Sequence, residues 1–95
     1  MNKNVYALRD QKVDVYLNPV YMINNAEAKR MLVATMMGNS DISKFPGDFG
    51  LYQLGTWDNE TGVYTPLGAP ELVMSGLAAA EQAKEIINNQ EENQS

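Results

Sequence analysis

The stretch FGLYQLGTWDNETGVYT, residues 49–65, constrains this chain more than any other. Phe49, Leu51, Gln53 and Trp57 fall on one parity, and Tyr52 and Leu54 on the other, as in a strand whose two sides meet different surroundings. Asp58-Asn59-Glu60-Thr61-Gly62 supplies turn chemistry, with Gly62 able to take positive φ, and Val63-Tyr64-Thr65 is a β-prone return. The stretch therefore predicts a β-hairpin with a short, bulged loop. Phe45-Pro46-Gly47-Asp48 reads as the turn that leads into it.

The rest of the chain can be arranged around that hairpin. Val5-Tyr6-Ala7-Leu8 reads as a strand, Arg9-Asp10-Gln11-Lys12 as a turn, and Val13-Asp14-Val15-Tyr16-Leu17 as its half-buried partner. Asn18-Pro19 ends that strand, because proline has no amide to give a ladder. Val20-Tyr21-Met22-Ile23 is apolar on both parities and can be extended. Asn24 is a candidate N-cap, with Glu27 three residues on, for a helix from about Ala26 to Met37 that stops at Gly38-Asn39. Ala28, Met31, Leu32, Thr35 and Met36 should face the sheet. Val33, Ala34 and Met37 then lie on an apolar outer side, which needs cover from the C-terminal segment or from a second subunit.

Pro70 suits the first turn of a second helix, expected over about 70–88. Val73, Gly76, Leu77, Ala80, Ala83 and Ile87 would form its small-residue stripe. Residues 89–95 are polar and expected to be a disordered tail. The expectation is one α+β domain over 1–88: a small antiparallel sheet of two β-hairpins, one packed helix and a C-terminal helix. A homo-oligomer, most simply a dimer, would bury Val33, Met37, Val73, Leu77 and Ala80.

Composition narrows the chemistry. The chain has no cysteine and no histidine, which removes disulfides, thiolate sites, and Ser–His or Cys–His catalysis. The glycines at 47, 50 and 55 match no phosphate-loop or dinucleotide pattern. Asp41, Asp48, Asp58 and Glu60 have no spacing that fixes a metal or a two-carboxylate site. No enzyme activity, metal or cofactor is expected. The segment MNKNVYALRDQK lacks the apolar core of a signal peptide, and no apolar run approaches the roughly 18 residues of a membrane span, so a soluble cytoplasmic protein is expected.

The net charge of −5 disfavours general binding to phosphate backbones. Its distribution is uneven: residues 1–44 carry six bases and four acids, and residues 45–95 one base and eight acids. Aromatic side chains on a sheet beside basic residues can stack on unpaired bases. Most of the aromatics here can equally be core. Tyr16 and Tyr52 sit on the parity opposite to the most apolar one and are the candidates for an exposed face, whereas Trp57 shares parity with Phe49 and Leu51 and is expected to be structural.

Over residues 44–58 the pattern KFPGDFGLYQLGTWD resembles the small nonstructural protein of gokushovirus-like microviruses, also called the phage ORF5 protein. The residues that carry the likeness are Lys44, Pro46, Asp48, Phe49, Leu51, Tyr52, Leu54, Gly55, Trp57 and Asp58. Tyr6 to Asp10 and Tyr16-Leu17-Asn18-Pro19-Val20-Tyr21 resemble the family's opening, and Ala28 to Arg30 the start of its helix, with Leu32 where an aromatic is usual. The likeness covers about residues 5–70. It implies a nonenzymatic bacteriophage protein of the host bacterial cytoplasm. By the same resemblance it would bind single-stranded DNA in genome replication or in the switch to packaging. Lys3, Arg9, Lys12, Lys29, Arg30 and Lys44 would then hold phosphates, with Tyr16 or Tyr52 stacking on bases. The alternative is a protein-interaction module that docks on a phage or host replication or packaging protein without touching DNA.

Overall fold

A computed structural model describes residues 1–93. The spine is β1 (Asn2–Asp10). It pairs along one side with two short strands, β2 (Val15–Tyr16) and β3 (Val20–Met22), and along the other with β4 (Phe49–Asp58). β4 also pairs with β5 (Tyr64–Ser75), and every pairing in this five-stranded sheet is antiparallel. The predicted α+β class holds, and both predicted hairpins form. β2 is shorter than the expected 13–17 because residues 11–14 make the turn, with Asp14 in the left-handed region at φ 57°. In the second hairpin Gly62 takes φ 76°, and the Asp58 carboxylate accepts from the amides of Glu60 and Thr61.

The first helix, α1 (Asn25–Met36), starts where its cap predicts. The Asn24 side chain accepts from the Glu27 amide at 2.9 Å, and Glu27 Oε2 reaches back to the Ile23 amide. A short α2 (Asp41–Lys44), capped by Ser40, and a 3-10 turn over Pro46–Asp48 carry the chain into β4.

The second helix differs from expectation. Residues 70–75 belong to β5, not to a helix, and α3 runs Gly76–Asn93. Pairing of residues 71–75 with residues 50–53 of β4 outweighs the helical propensity of ELVM. Pro70 sits on the outer strand of the sheet, where a missing amide costs nothing. The operative start signal is Ser75, whose Oγ accepts from the Ala78 amide at 3.1 Å. Residues 89–93, expected to be disordered, continue α3. The rest of that expected tail, 94–95, lies outside the described residues.

The core lies between one face of the sheet and the helices. Tyr6, Leu51 and Met74 from the sheet meet Ala28, Leu32, Val33 and Met36 of α1 and Ala79 and Ala83 of α3. Tyr6, Leu32 and Leu51 are completely buried. Burying a leucine of this kind stabilises the fold by roughly 1.5–3 kcal/mol. The alanines of α3 let it approach α1 closely. Val33, placed on an outer face by its spacing, is therefore buried in this core.

Three irregularities set the side-chain directions; in one of them Met74 lies opposite Leu51 and Leu72 opposite Tyr52, so Val73 is an extra residue in β5. Tyr6 lies opposite Gln53 but Val5 lies opposite Gly55, so Leu54 is an extra residue in β4. In β5, Glu71 lies opposite Gln53 and Pro66 opposite Gly55, so the four residues Leu67–Pro70 bulge out where β4 has only Leu54.

Candidate nucleic-acid interface

Residues directly opposite one another on neighbouring strands share a face of the sheet. Tyr6, Leu8, Leu51 and Gln53 share the face that the helices cover. The opposite face carries Val5, Ala7 and Arg9 of β1, with Tyr16 opposite Arg9 and Tyr21 opposite Val5. From β4 it carries Tyr52 and Trp57, and from β5 Leu72 opposite Tyr52 and Tyr64 opposite Trp57. Among the described residues no helix covers this second face. Its small central residues, Val5 and Ala7, are nonetheless almost fully buried. The aromatic rings cover them.

The rings form two groups. At one end Tyr16 and Tyr52 meet edge to face, with centroids 5.9 Å apart and planes at 81°. The Arg9 guanidinium lies 5.7 Å from the Tyr16 centroid, which is within cation–π range. Arg9 Nη2 also donates to Asp14 Oδ1 at 2.9 Å, and Gln11 Nε2 donates to the Tyr52 hydroxyl at 3.3 Å. At the other end Tyr21 and Trp57 lie with centroids 5.2 Å apart and planes at 53°. Lys3 is directly across from Trp57, and the Tyr64 hydroxyl donates to the Leu54 carbonyl. Gly55 makes room for this second group: a Cβ there would strike the Thr65 carbonyl and stand 2.8 Å from the Tyr64 ring.

The charges on the two faces differ. Among the described residues, Lys3 and Arg9 are the only charged side chains at paired positions on the helix-free face, whereas Asp10, Asp58 and Glu71 take positions on the helix side. Asp14 in the adjoining turn is the acid closest to this surface, through its pair with Arg9. Hydrogen bonding from the Glu60 amide, aided by that of Thr61 and by the chain's amino terminus, holds the Asp58 carboxyl below its ordinary value.

Of the residues expected to bind nucleic acid, Arg9, Tyr16 and Tyr52 come together, Lys3 shares their face, and Lys12 is exposed at the tip of the first hairpin. Lys29 and Arg30 project from the exposed side of α1, and Lys44 ends α2, all in the helical layer. They do not join the other three bases. The residues expected at an oligomer interface are also dispersed. Val33 is in the core, Val73 and Ala80 pack against it, Met37 is exposed, and Leu77 is 60% exposed. Leu77 and Ala80 line a groove of about 470 Å³ with Lys44 and Lys84. Among the described residues no three carboxylates gather as a metal site, and no helix is long and apolar enough to cross a membrane.

Trp57, Tyr21, Tyr64 and Leu72 are members of this surface that the sequence did not point to. Simple alternation puts Trp57 with Leu51, on the core side. The extra residue Leu54 reverses the parity, so Trp57 emerges beside Tyr52's face instead. Gly55 inside a strand was the available signal, since an interior strand glycine often marks a bulge.

These features define a small α+β domain with helices on one side of an antiparallel sheet and an aromatic surface with two bases on the other. The family model described as Phage ORF5 protein matches residues 3–79. The chain belongs to that family and is a bacteriophage protein. The match takes in the sheet from Lys3 onward and α1, and ends just inside α3. Searches of curated proteins and of solved structures give no match.

Proposed function

We propose that this is a nonenzymatic phage protein of the host cytoplasm that binds single-stranded DNA, acting in genome replication or in the switch to packaging. The observation that carries the reading is the helix-free face, where Tyr16 and Tyr52 stand beside Arg9 with Lys12 at the rim. Unpaired bases offer flat apolar faces for such rings, and phosphates suit the bases around them. The rings also cover Val5 and Ala7, so the same residues serve stability.

The test is titration of labelled single-stranded DNA at low and moderate salt. Two or three phosphate contacts should give a log–log salt slope of about −1.5 to −2. Absence of binding at low salt would sink the reading. The competing reading is a module that docks on a phage or host protein. The net charge of −5 and the exposed Leu77 beside an apolar groove favour it. Light scattering, which separates monomer from dimer, tests whether that groove is filled by a second copy.

A further inference from the structure

We infer that the helix-free face holds two separate stacking stations for one DNA strand, and that the Tyr21–Trp57 pair with Lys3 is the second. The inference rests on the single-strand reading above and extends it to Tyr21 and to Trp57, whose parity in the sequence reads as structural.

Each station has the same parts. The first has a ring pair, Tyr16–Tyr52, and a cation, Arg9; the second has a ring pair, Tyr21–Trp57, and a cation, Lys3. Tyr21 is 52% and Tyr16 39% exposed, so each pair has a ring that a base can reach. Between the stations Val5, Ala7 and Gly55 are buried beneath the surrounding rings, so a strand crossing from one station to the other would run over those rings.

Charge identifies the occupant. Lys3 and Arg9 mark the two ends of the face, and among the described residues no acid takes a paired position between them. A polyanion laid along β1 would meet a cation at each end. An apolar peptide would offer nothing to Lys3 and would leave Arg9 with only its exposed partner Asp14.

Spacing sets the length. Tyr16 lies opposite Arg9 and Tyr21 opposite Val5, four residues along β1, which at the strand rise is roughly 13–14 Å. A stretched single strand advances roughly twice the 3.4 Å of stacked duplex bases per nucleotide. Bases at both stations are therefore about two nucleotides apart, so about three nucleotides reach both and about four do so with one to spare, the small end of known single-strand sites. Stacking distinguishes sequences weakly, so the site should accept any unstructured strand.

Trp57 is the sole tryptophan of the chain, which makes its emission a direct reporter of the second station. The experiment uses the full chain and end-labelled oligothymidylates of about two, four and eight nucleotides. Anisotropy follows binding, and tryptophan emission follows the second station. The expected result is quenching of Trp57 that tracks anisotropy, with affinity rising about tenfold from two to four nucleotides and slowly thereafter.

Trp57→Phe should keep most of the affinity. Tyr21→Leu, at an exposed position, should lower it about tenfold for the four-nucleotide strand and little for the two-nucleotide one. Binding by anisotropy with unchanged Trp57 emission, or affinity independent of length, overturns the second station while leaving the single-strand reading standing. No binding of any length at low salt overturns both.

Discussion

The Tyr6 hydroxyl donates a 2.6 Å hydrogen bond to Asn25 Oδ1, tying the middle of β1 to the first residue of α1. The same hydroxyl accepts from Asn4 Nδ2 at 2.9 Å. A completely buried ring thus ends in a satisfied polar atom at the margin of the core. Tyr6→Phe removes only that atom and should cost about 1 kcal/mol. For a domain of this size that is a fall in melting temperature of roughly 4–8 °C. Tyr6→Ala also opens a cavity and should cost about 3–5 kcal/mol. Thermal denaturation of the two variants separates the hydrogen bond from the packing.

The junction of β5 and α3 has no room for a side chain. A Cβ at Gly76 would collide with the Pro46 carbonyl and lie 2.8 Å from the Phe49 carbonyl, both backbone atoms that cannot swing away. Gly76→Ala should therefore destabilise by about 1–3 kcal/mol or more, as overpacking does. Gly68→Ala is the control, because nothing lies within 4 Å of its Cβ direction. Urea midpoints should fall for the first variant and stay close to wild type for the second.

Asp58 gives the second hairpin a pH dependence. Its carboxyl is held below the ordinary value of 3.8, chiefly by the Glu60 amide. A carboxyl depressed in the folded state contributes stability above its unfolded pKa and loses it as pH falls through the folded pKa. Asp58→Asn mimics the protonated form. Denaturant midpoints of wild type and variant should differ at neutral pH, with wild type the more stable, and converge in acid below the ordinary carboxyl range. A constant difference at all pH values would exclude this origin.

Asp14 competes with any phosphate for Arg9. The ion pair is 2.9 Å long, and the Asp14 side chain is 75% exposed, so it is replaceable. Its φ of 57° is one that asparagine also accepts. Asp14→Asn should thus keep the turn, release Arg9 and raise affinity for single-stranded DNA about threefold to tenfold at low salt, a gain that shrinks as salt rises. Titration of wild type and variant under identical salt checks it, and weaker binding by the variant would contradict a phosphate role for Arg9.

Local chemistry was legible in the sequence; positions set by strand pairing were less so. The Asn24 cap, the Gly62 turn and the parity of Tyr16 and Tyr52 rest on short-range rules, and the structure places all of them as read. Trp57 was misplaced because one extra residue, Leu54, inverts alternation from that point on, and alternation counts residues rather than hydrogen bonds. Residues 70–75 were misplaced because a strand on the sheet's outer side can have any local propensity that its partner overrides, and β4 is that partner. Lys29, Arg30 and Lys44 are basic and near the others in sequence, but only the tertiary fold shows that the sheet separates them from Arg9.

The four-residue bulge in β5 affects how copies of this protein meet. β5 has a single paired neighbour, so its far side offers free backbone groups, the usual template for one sheet to grow onto another. Twelve uninterrupted residues would be a long template. Leu67–Pro70 divide it into two short segments out of step with each other, and Pro66 and Pro70 withhold their amides at the division. The backbone thereby offers a second sheet only short stretches of edge in place of one long one.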